Sequence, residues 1–372
     1  MLNREFRIQC AFHLAGILLA LAFVLLLVQA SGAPPLEAFR LILEGAFGSA
    51  GGLADVLVAW VPLLLASGAV LITFSAGLWN IGIEGQIILG AIGCTWALRL
   101  CQAGGWPPLP SLLLAFLAGM AAAAGWALLA GALRTVGGVN EIFGGLGLNF
   151  VATALTIWLI FEPWKRPGTG SMSGTEPFTE AYRLPTLEAL RFSPWSLAIG
   201  AGGLVLAWFI LSKSRLGLQL RAVGDNPRAA FLLGVPTSRC LLLGFALGGV
   251  LAGLAGCLQV TAVYHRLIPS VSSGYGFLGF LVALLIRFRT TWAAPVALFY
   301  AAINIGSIQL PIVLQLDSSL AGVLQGALVL SVMVLEGLRQ RLLGTAGEHP
   351  GPHSGARNQT ADSLTQIHGW PR

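Results

Sequence analysis

The chain has 372 residues, of which 56% are hydrophobic and 10% charged, with a net charge of +6 and a mean hydropathy of +0.81. Soluble domains carry roughly 25% charged residues, so this composition excludes an ordinary water-soluble protein. The sequence shows no basic soluble face, which excludes nucleic acid as a partner.

Long runs without Asp, Glu, Lys or Arg follow one another along the chain. They cover residues 8–36, 56–83, 85–98, 100–133, 142–161, 192–212, 240–265, 267–286, 290–316 and 318–335. Most exceed the ~20 residues that cross a bilayer as a helix. Because lipid leaves the backbone only helices or closed barrels, the pattern predicts an all-α, polytopic membrane protein with about ten transmembrane helices. Membrane lipid is therefore an expected partner.

The predicted spans begin with a retained first helix over about 11–29, because its apolar run is longer than the roughly 7–15 residues of a cleaved signal. An interfacial helix from Pro35 to Phe47 follows. The other spans cover about 53–75, 86–100, 111–133, 142–161, 194–213, 240–263, 275–286, 293–314 and 318–336.

The Lys and Arg residues predict that both termini are cytoplasmic. With ten spans and the N-terminus inside, seven of them lie outside: Arg40, Arg99, Lys165, Arg166, Arg183, Arg191 and Arg266. The other 14 lie inside, which is the bias expected of a multi-pass membrane protein. We expect a transmembrane domain over 1–343, with an outside loop at 162–193 and an inside loop at 212–239. Residues 344–372 form a polar cytoplasmic tail that we expect to be disordered.

Several kinds of chemistry lack their motifs. The two lysines, Lys165 and Lys213, do not follow the glycine that a Walker A motif requires, so the chain is not expected to bind ATP by a P-loop. The histidines are scattered and the cysteines form no CxxC pair, so no metal or other cofactor is expected. These absences favour passage of a solute across the membrane, or assembly of other proteins there, over an enzyme.

One charged residue stands between two hydrophobic segments, in "GLWNIGIEGQIILG". Glu84 lies there with Trp79, Asn80 and Gln86, among four glycines that permit a broken helix. In a functional interpretation, the polar side chains line or brace a solute path and Trp79 stacks on the solute. In a structural interpretation, Glu84 reaches water or pairs with a backbone N–H and fixes the break.

A second interrupted stretch is "HRLIPSVSSGYGFLGFLVALLIR", His265 to Arg287. Interruptions at matching places in two halves of a transporter indicate a pathway between the halves. We therefore include Ser273 and Tyr275 among the candidate pathway residues, with ordinary packing as the alternative.

The inside loop contains "GDNPRAAFLLGVP", which carries helix boundaries at both ends. Asn226 or Asp225 can cap, Pro227 suits the first helical position, and Gly234 can end the helix in the left-handed conformation. The helical turns begin with Arg228, and the side chains of Ala229, Ala230, Phe231, Leu232 and Leu233 expose more apolar area than a solvated helix needs. This predicts docking into a groove of another protein, with an interfacial helix on lipid as the alternative.

Together, "GLWNIGIEGQIILGA" and "RAVGDNPRAAFLLGV" resemble the permease subunit of bacterial nucleoside and simple-sugar ABC importers, within the branched-chain amino acid and ribose permease superfamily. The resemblance covers about residues 10–340. It implies that 226–234 is the coupling helix for a separate ABC ATPase subunit, which binds the ATP. It also implies an extracytoplasmic substrate-binding lipoprotein and a second permease subunit, usually a paralogue.

Two other functions remain open from the sequence. An ion-coupled secondary transporter would need buried ionisable residues, and Glu84, Asp55 and Glu141 each lie near the end of a span. A membrane scaffold would have no solute path at all.

Overall fold

The structure is a computed structural model that describes residues 34–166, 174–187, 192–286 and 290–315, together with isolated positions elsewhere. Within these ranges the long elements are all helices. They are α1 Pro35–Phe47, α2 Ala50–Ser75, α3 Ile83–Ala103, α4 Pro108–Thr135, α5 Glu141–Phe161, α6 Pro194–Lys213, α7 Arg215–Asp225, α8 Pro227–Leu232, α9 Thr237–Leu258, α10 Tyr275–Leu285, α11 Ala293–Gly306 and α12 Gln309–Leu314. A π-helical turn, Gln259–Val263, continues α9.

Six helical segments of the described residues are long and apolar enough to cross a membrane: Ala50–Ser75, Pro108–Thr135, Glu141–Phe161, Pro194–Lys213, Thr237–Val263 and Thr290–Leu314. The all-helical, multi-pass class predicted from the sequence is confirmed. The expected first and tenth spans, and the tail, fall mainly outside the described residues.

The centre of the fold consists of α2, α3 and α9. They pack on one another and are covered by α4 against α3 and α9, by α6 against α2, and by α10 and α11 against α2. In α2 the most hydropathic 18-residue window is 83% buried, compared with 22% in α4, so α2 faces protein on nearly all sides. Helix α3 is also buried along most of its length, which explains how it carries Glu84, Gln86 and Arg99 and is less apolar than a lipid-facing span.

Two of the expected spans follow irregular backbone: the third begins at Ile83, three residues before the predicted 86, and the eighth begins at Tyr275, as predicted. The chain between α2 and α3, residues 76–82, is not helical, and neither is the chain between the π-turn and α10, residues 264–274. Because α10 has 11 residues, its length is about 16 Å, roughly half the thickness of the hydrocarbon core. The expected eighth span is thus a half-length helix that starts inside the protein.

A short segment of the expected outside loop is held over the end of α9. This segment, residues 174–187, is called the strap. Three backbone hydrogen bonds fix it: Thr175 N to Leu267 O at 2.9 Å, Phe178 N to His265 O at 2.8 Å and Leu184 N to Thr261 O at 3.1 Å. The side chain of Phe178, within the strap, is buried. The strap is therefore joined to the same irregular segment that leads into α10.

Candidate functional site

The break between α2 and α3 is braced by two side-chain amides. Asn80 Nδ2 donates to Gln86 Oε1 at 3.3 Å, and Gln86 Nε2 donates to Asn80 Oδ1 at 3.0 Å. Both side chains are 1% exposed. Because each amide satisfies the other, the pair holds the turn closed from within. Asn80 and Gln86 were expected either to line or to brace a solute path, and their mutual hydrogen bonds brace the break.

Glu84 connects the two interrupted helices. It lies in the first turn of α3, and its carboxylate reaches the start of α10, where Ser272 Oγ donates to Oε1 at 2.5 Å and Gly276 N donates to Oε2 at 2.8 Å. A carboxylate at this position pairs with backbone N–H groups at the positive end of a helix. Glu84 therefore caps α10 from a neighbouring element, which explains how a charge is accommodated between two apolar segments.

This contact requires a glycine on α10. A Cβ placed on Gly276 would lie 2.7 Å from both the Cα and the N of Glu84. These are backbone atoms, and they cannot rotate away as a side chain could. The first turns of α3 and α10 are consequently in direct backbone contact.

Asn149 of α5 is a third support, and reasoning from the sequence missed it. Its Oδ1 accepts from Gly85 N at 2.8 Å, and its Nδ2 donates to Ile81 O at 3.0 Å. The residue is 7% exposed. An amide within a charge-free span was an available signal, since such groups usually bond to another helix. Its two bonds tie the end of the break and the first turn of α3 to α5.

Two of these supports, Glu84 and Asn149, line a cavity of about 420 Å³. Its walls come from α3, α5, the segment before α10 and the first turn of α10: Glu84, Ile88, Leu146, Asn149, Phe150, Thr153, Pro269, Ser270, Ser272, Ser273, Gly274 and Phe277. Phe150 is 76% exposed and Phe277 is 43% exposed, so the cavity opens to the molecular surface between α5 and α10.

Only two of the six candidate pathway residues line this cavity. Glu84 and Ser273 line the cavity, whereas the other four do not. Trp79 packs between Phe74 and Phe280, with ring centroids 5.3 Å and 6.0 Å away. Tyr275 packs against the hydrophobic core.

The chemistry of the cavity favours an uncharged ligand with hydroxyl groups. The walls offer the hydroxyls of Ser270, Ser273 and Thr153, beside the aromatic faces of Phe150 and Phe277. Thr153 Oγ1 donates to Asn149 O at 3.0 Å, which leaves its oxygen as an acceptor. Among the described residues that line the cavity, Glu84 is the one charged side chain, and its carboxylate already accepts hydrogen bonds from Ser272 Oγ and Gly276 N. Few polar groups in an apolar, aromatic frame are typical of small-molecule sites.

The described residues contain no group of three or more His, Cys, Asp or Glu side chains placed to hold a metal ion. The described cysteines, Cys94, Cys101, Cys240 and Cys257, are buried and free of disulfides.

The helix at 226–234 is capped as its sequence predicts. Asn226 Oδ1 accepts from Arg228 N at 3.1 Å and from Ala229 N at 3.0 Å, with Pro227 at the first helical position. Gly234, at φ +82°, ends the helix.

The two sides of this helix differ in exposure. Ala230 is buried, while Phe231, Leu232 and Leu233 are 67%, 84% and 82% exposed. An exposed row of large apolar side chains on a short, capped helix is a surface suited to docking.

Residues 52–333 match the family model described as branched-chain amino acid transport system, permease component. A glucose ABC transporter permease of Haloferax volcanii is 31% identical over 345 residues, covering 90% of each chain. A guanosine ABC transporter permease of Bacillus subtilis is 27% identical over 325 residues, covering 86% of this chain and 91% of that protein.

Proposed function

Because the chain belongs to the family of branched-chain amino acid transport system permease components, and is a permease subunit of an ABC importer, we propose that it carries a neutral, hydroxylated solute, a nucleoside or a simple sugar. It is a multi-pass membrane protein without catalysis of its own. A permease of this kind works with an ATPase and with a substrate-binding protein.

The observation that carries the proposal is the cavity where two interrupted helices meet. Its hydroxyls and its Asn149 can exchange hydrogen bonds with sugar hydroxyls, and Phe150 and Phe277 can stack on a base or a sugar face. The walls offer no cation among the described residues, so a phosphorylated solute would find no charge partner there. The names of the relatives, glucose and guanosine permeases, agree with this class of solute.

The helix at 226–234 is proposed as the coupling helix that an ATPase subunit pushes. Phe231 and Leu232 supply the exposed apolar surface, and Asn226 keeps the helix formed in the absence of a partner. A movement of this helix would reach the cavity through only a few contacts. Helix α7 precedes it directly, and the α7 backbone at Gly224 lies against Gly77, at the start of the break that ends at Glu84.

The finer topology and assembly are also proposals. The excess of Lys and Arg on one side supports ten spans with both termini in the cytoplasm of a bacterium, and the inner membrane as the location. Residues 1–343 would form the permease domain, followed by a tail at 344–372. The opening of the cavity to the surface supports a second permease, most simply a paralogue, across from α5 and α10. The substrate-binding partner would be a lipoprotein.

The test is uptake into proteoliposomes that contain the permease with the ATPase and the second permease that co-purify with it, loaded with ATP. Labelled guanosine and labelled glucose are offered with the co-purifying binding protein, and unlabelled nucleoside 5′-monophosphate serves as a competitor. Uptake of one neutral solute that requires ATP and resists the phosphorylated competitor is the expected result. Concentrative uptake by the permease alone would overturn the proposal.

A further inference from the structure

A second, much smaller cavity lies away from the solute cavity, where α2, the start of α6 and the π-turn meet. It measures about 10 Å³ and is lined by Val58, Val61, Pro62, Ser193, Ser196, Leu258, Gln259, Ala262 and Val263. One buried water needs roughly 10–15 Å³. The question is whether polar groups converge there, because a water requires partners and an apolar cavity of this size stays empty.

The first polar group is a buried donor. Gln259 is 2% exposed, and its Nε2 has no hydrogen-bond partner within the described part of the chain. A buried N–H group without a partner costs about 1–3 kcal/mol, which is why native structures satisfy nearly all such groups. Gln259 also begins the π-helical turn that interrupts α9, a type of irregularity that frequently marks a functional place in a helix.

The second polar group is a backbone carbonyl that proline sets free. Pro62 lies within α2 and has no amide hydrogen. The carbonyl of Val58, four residues earlier, therefore lacks the donor that an α-helix normally provides. Val58 and Pro62 both line the cavity. An acceptor without its helical partner thus lies near a donor without a partner.

Two serines complete the polar lining, and both have already used their protons. Ser193 Oγ donates to Pro185 O at 2.8 Å, and Ser196 Oγ donates to Ser193 O at 2.6 Å. Each serine oxygen is left with lone pairs that can accept a hydrogen bond. Both residues are at least 95% buried, so bulk water does not supply that bond.

From this convergence we propose that the cavity is a binding site for one structural water, which accepts a hydrogen bond from Gln259 Nε2 and donates to the Val58 carbonyl and to a serine oxygen. The water makes three hydrogen bonds, the usual number for a buried water. It joins α2, α6 and the π-turn of α9, three elements that are far apart in sequence. The proposal does not depend on the identity of the transported solute.

The direction in which one substitution changes the melting temperature distinguishes a cavity that holds a water from an empty cavity. In Gln259→Met, an apolar chain of similar length replaces the amide. If the cavity holds a water, the substitution removes its donor, leaves the Val58 carbonyl without a partner and lowers the melting temperature of the full chain in detergent. If the cavity is empty, the same substitution removes an unsatisfied buried amide and raises the melting temperature, which would overturn the proposal.

Thr95→Val is the matched control. The Thr95 hydroxyl is also fully buried and has no hydrogen-bond partner among the described residues, but Thr95 lines neither of the two cavities described above. We expect this variant to melt at or above the temperature of the unaltered protein.

A second measurement keeps the proposal testable if Gln259→Met does not fold. A crystal structure of the full chain, at a resolution that shows ordered waters, is expected to contain a density peak within hydrogen-bond distance of Gln259 and Val58. In Ser196→Ala the peak should weaken or shift towards Ser193. A cavity without density in the unaltered protein would contradict the proposal.

Discussion

Gly77 and Gly224 are in backbone contact: a Cβ on Gly77 would lie 3.3 Å from Gly224 Cα, and a Cβ on Gly224 would lie 3.0 Å from Gly77 N. Gly77 begins the break before α3 and has φ +73°, and Gly224 lies on α7, next to the proposed coupling helix. The contact places α7, which directly precedes the proposed coupling helix, against the turn that leads to the cavity.

We expect Gly224→Ala to uncouple the importer. The added methyl group would press on backbone of the break, and overpacking of this kind costs about 1–3 kcal/mol. Solute uptake should fall about tenfold or more, whereas ATP hydrolysis by the assembled complex should persist. The measurement is the ratio of solute transported to ATP hydrolysed in proteoliposomes. Gly125→Ala is the control, because its Cβ meets nothing within 4 Å. Equal ratios for the two variants would contradict the route through Gly224.

The double variant Phe231→Asp with Leu232→Asp should abolish transport while membrane insertion remains intact. Both side chains are exposed, so the fold does not depend on them, but two carboxylates would prevent an apolar surface from docking. Pull-down of the ATPase with the tagged permease measures the effect directly. Phe231→Leu with Leu232→Met keeps the apolar surface and should retain the ATPase. Unchanged uptake in the Asp variant would remove the coupling assignment.

Because the first turns of α3 and α10 are in backbone contact, Gly276→Ala should be destabilising. Its methyl group would meet the backbone of Glu84, so the Glu84 cap on α10 would open at a cost of about 1–3 kcal/mol. Thermal unfolding in detergent should show a clear decrease in melting temperature. Gly147→Ala, on the neighbouring α5, has open space at its Cβ and should be neutral or slightly stabilising, because alanine favours helix. Similar melting temperatures for both variants would contradict a close backbone contact between Gly276 and Glu84.

Asn149→Leu should weaken both the fold and the uptake of solute. The substitution leaves Gly85 N–H and Ile81 C=O without partners, at about 1–3 kcal/mol for each buried group. The KM for uptake should rise because α5 and α3 both line the cavity. Thr156→Val is a suitable control, since Thr156 bonds only to Ala152 O of its own helix among the described contacts. A KM equal to that of the control would place the solute away from Asn149.

The stability of the contact between the strap and the segment at His265 should depend on pH, because the His265 imidazole titrates. Burial lowers the pKa of this imidazole below its ordinary value of 6.5; the hydrogen bond to Thr261 O opposes this shift, and the positive charge of Arg183 adds to it. Because the folded pKa is depressed, the stabilising contribution is fully present above about pH 6.5 and is lost as the pH falls through the folded pKa.

Hydrogen exchange at the Phe178 amide, which bonds to His265 O, measures this effect after correction for intrinsic rates. Protection should be constant from about pH 8 to pH 6.5 and should decrease as the pH falls further towards 5.5. His265→Asn removes the titration, and asparagine tolerates the left-handed backbone at this position, where φ is 56°. Equal pH dependence in that variant would contradict a role for His265.

Much of the architecture follows from local information in the sequence. The charge-free runs predict the membrane class, because a lipid-facing helix cannot carry charge without cost. The capped helix at 226–234 is also local: Asn226, Pro227 and Gly234 act within one or two turns, so their spacing alone predicts both ends. The break around Glu84 is predicted for the same reason, because its glycines and polar residues are adjacent in the chain.

The partners of those local elements are decided only by the tertiary structure. Glu84 meets Ser272 and Gly276 across almost two hundred residues, and Asn149 reaches Gly85 from another helix. Spacing in the sequence does not encode such contacts, because they depend on which helix faces pack together. For this reason Tyr275 and Trp79, candidates from the two interrupted stretches, pack against neighbouring apolar side chains, whereas Asn149 and Thr153 form the cavity wall. The sequence determines where the helices break, and the packing determines what the breaks enclose.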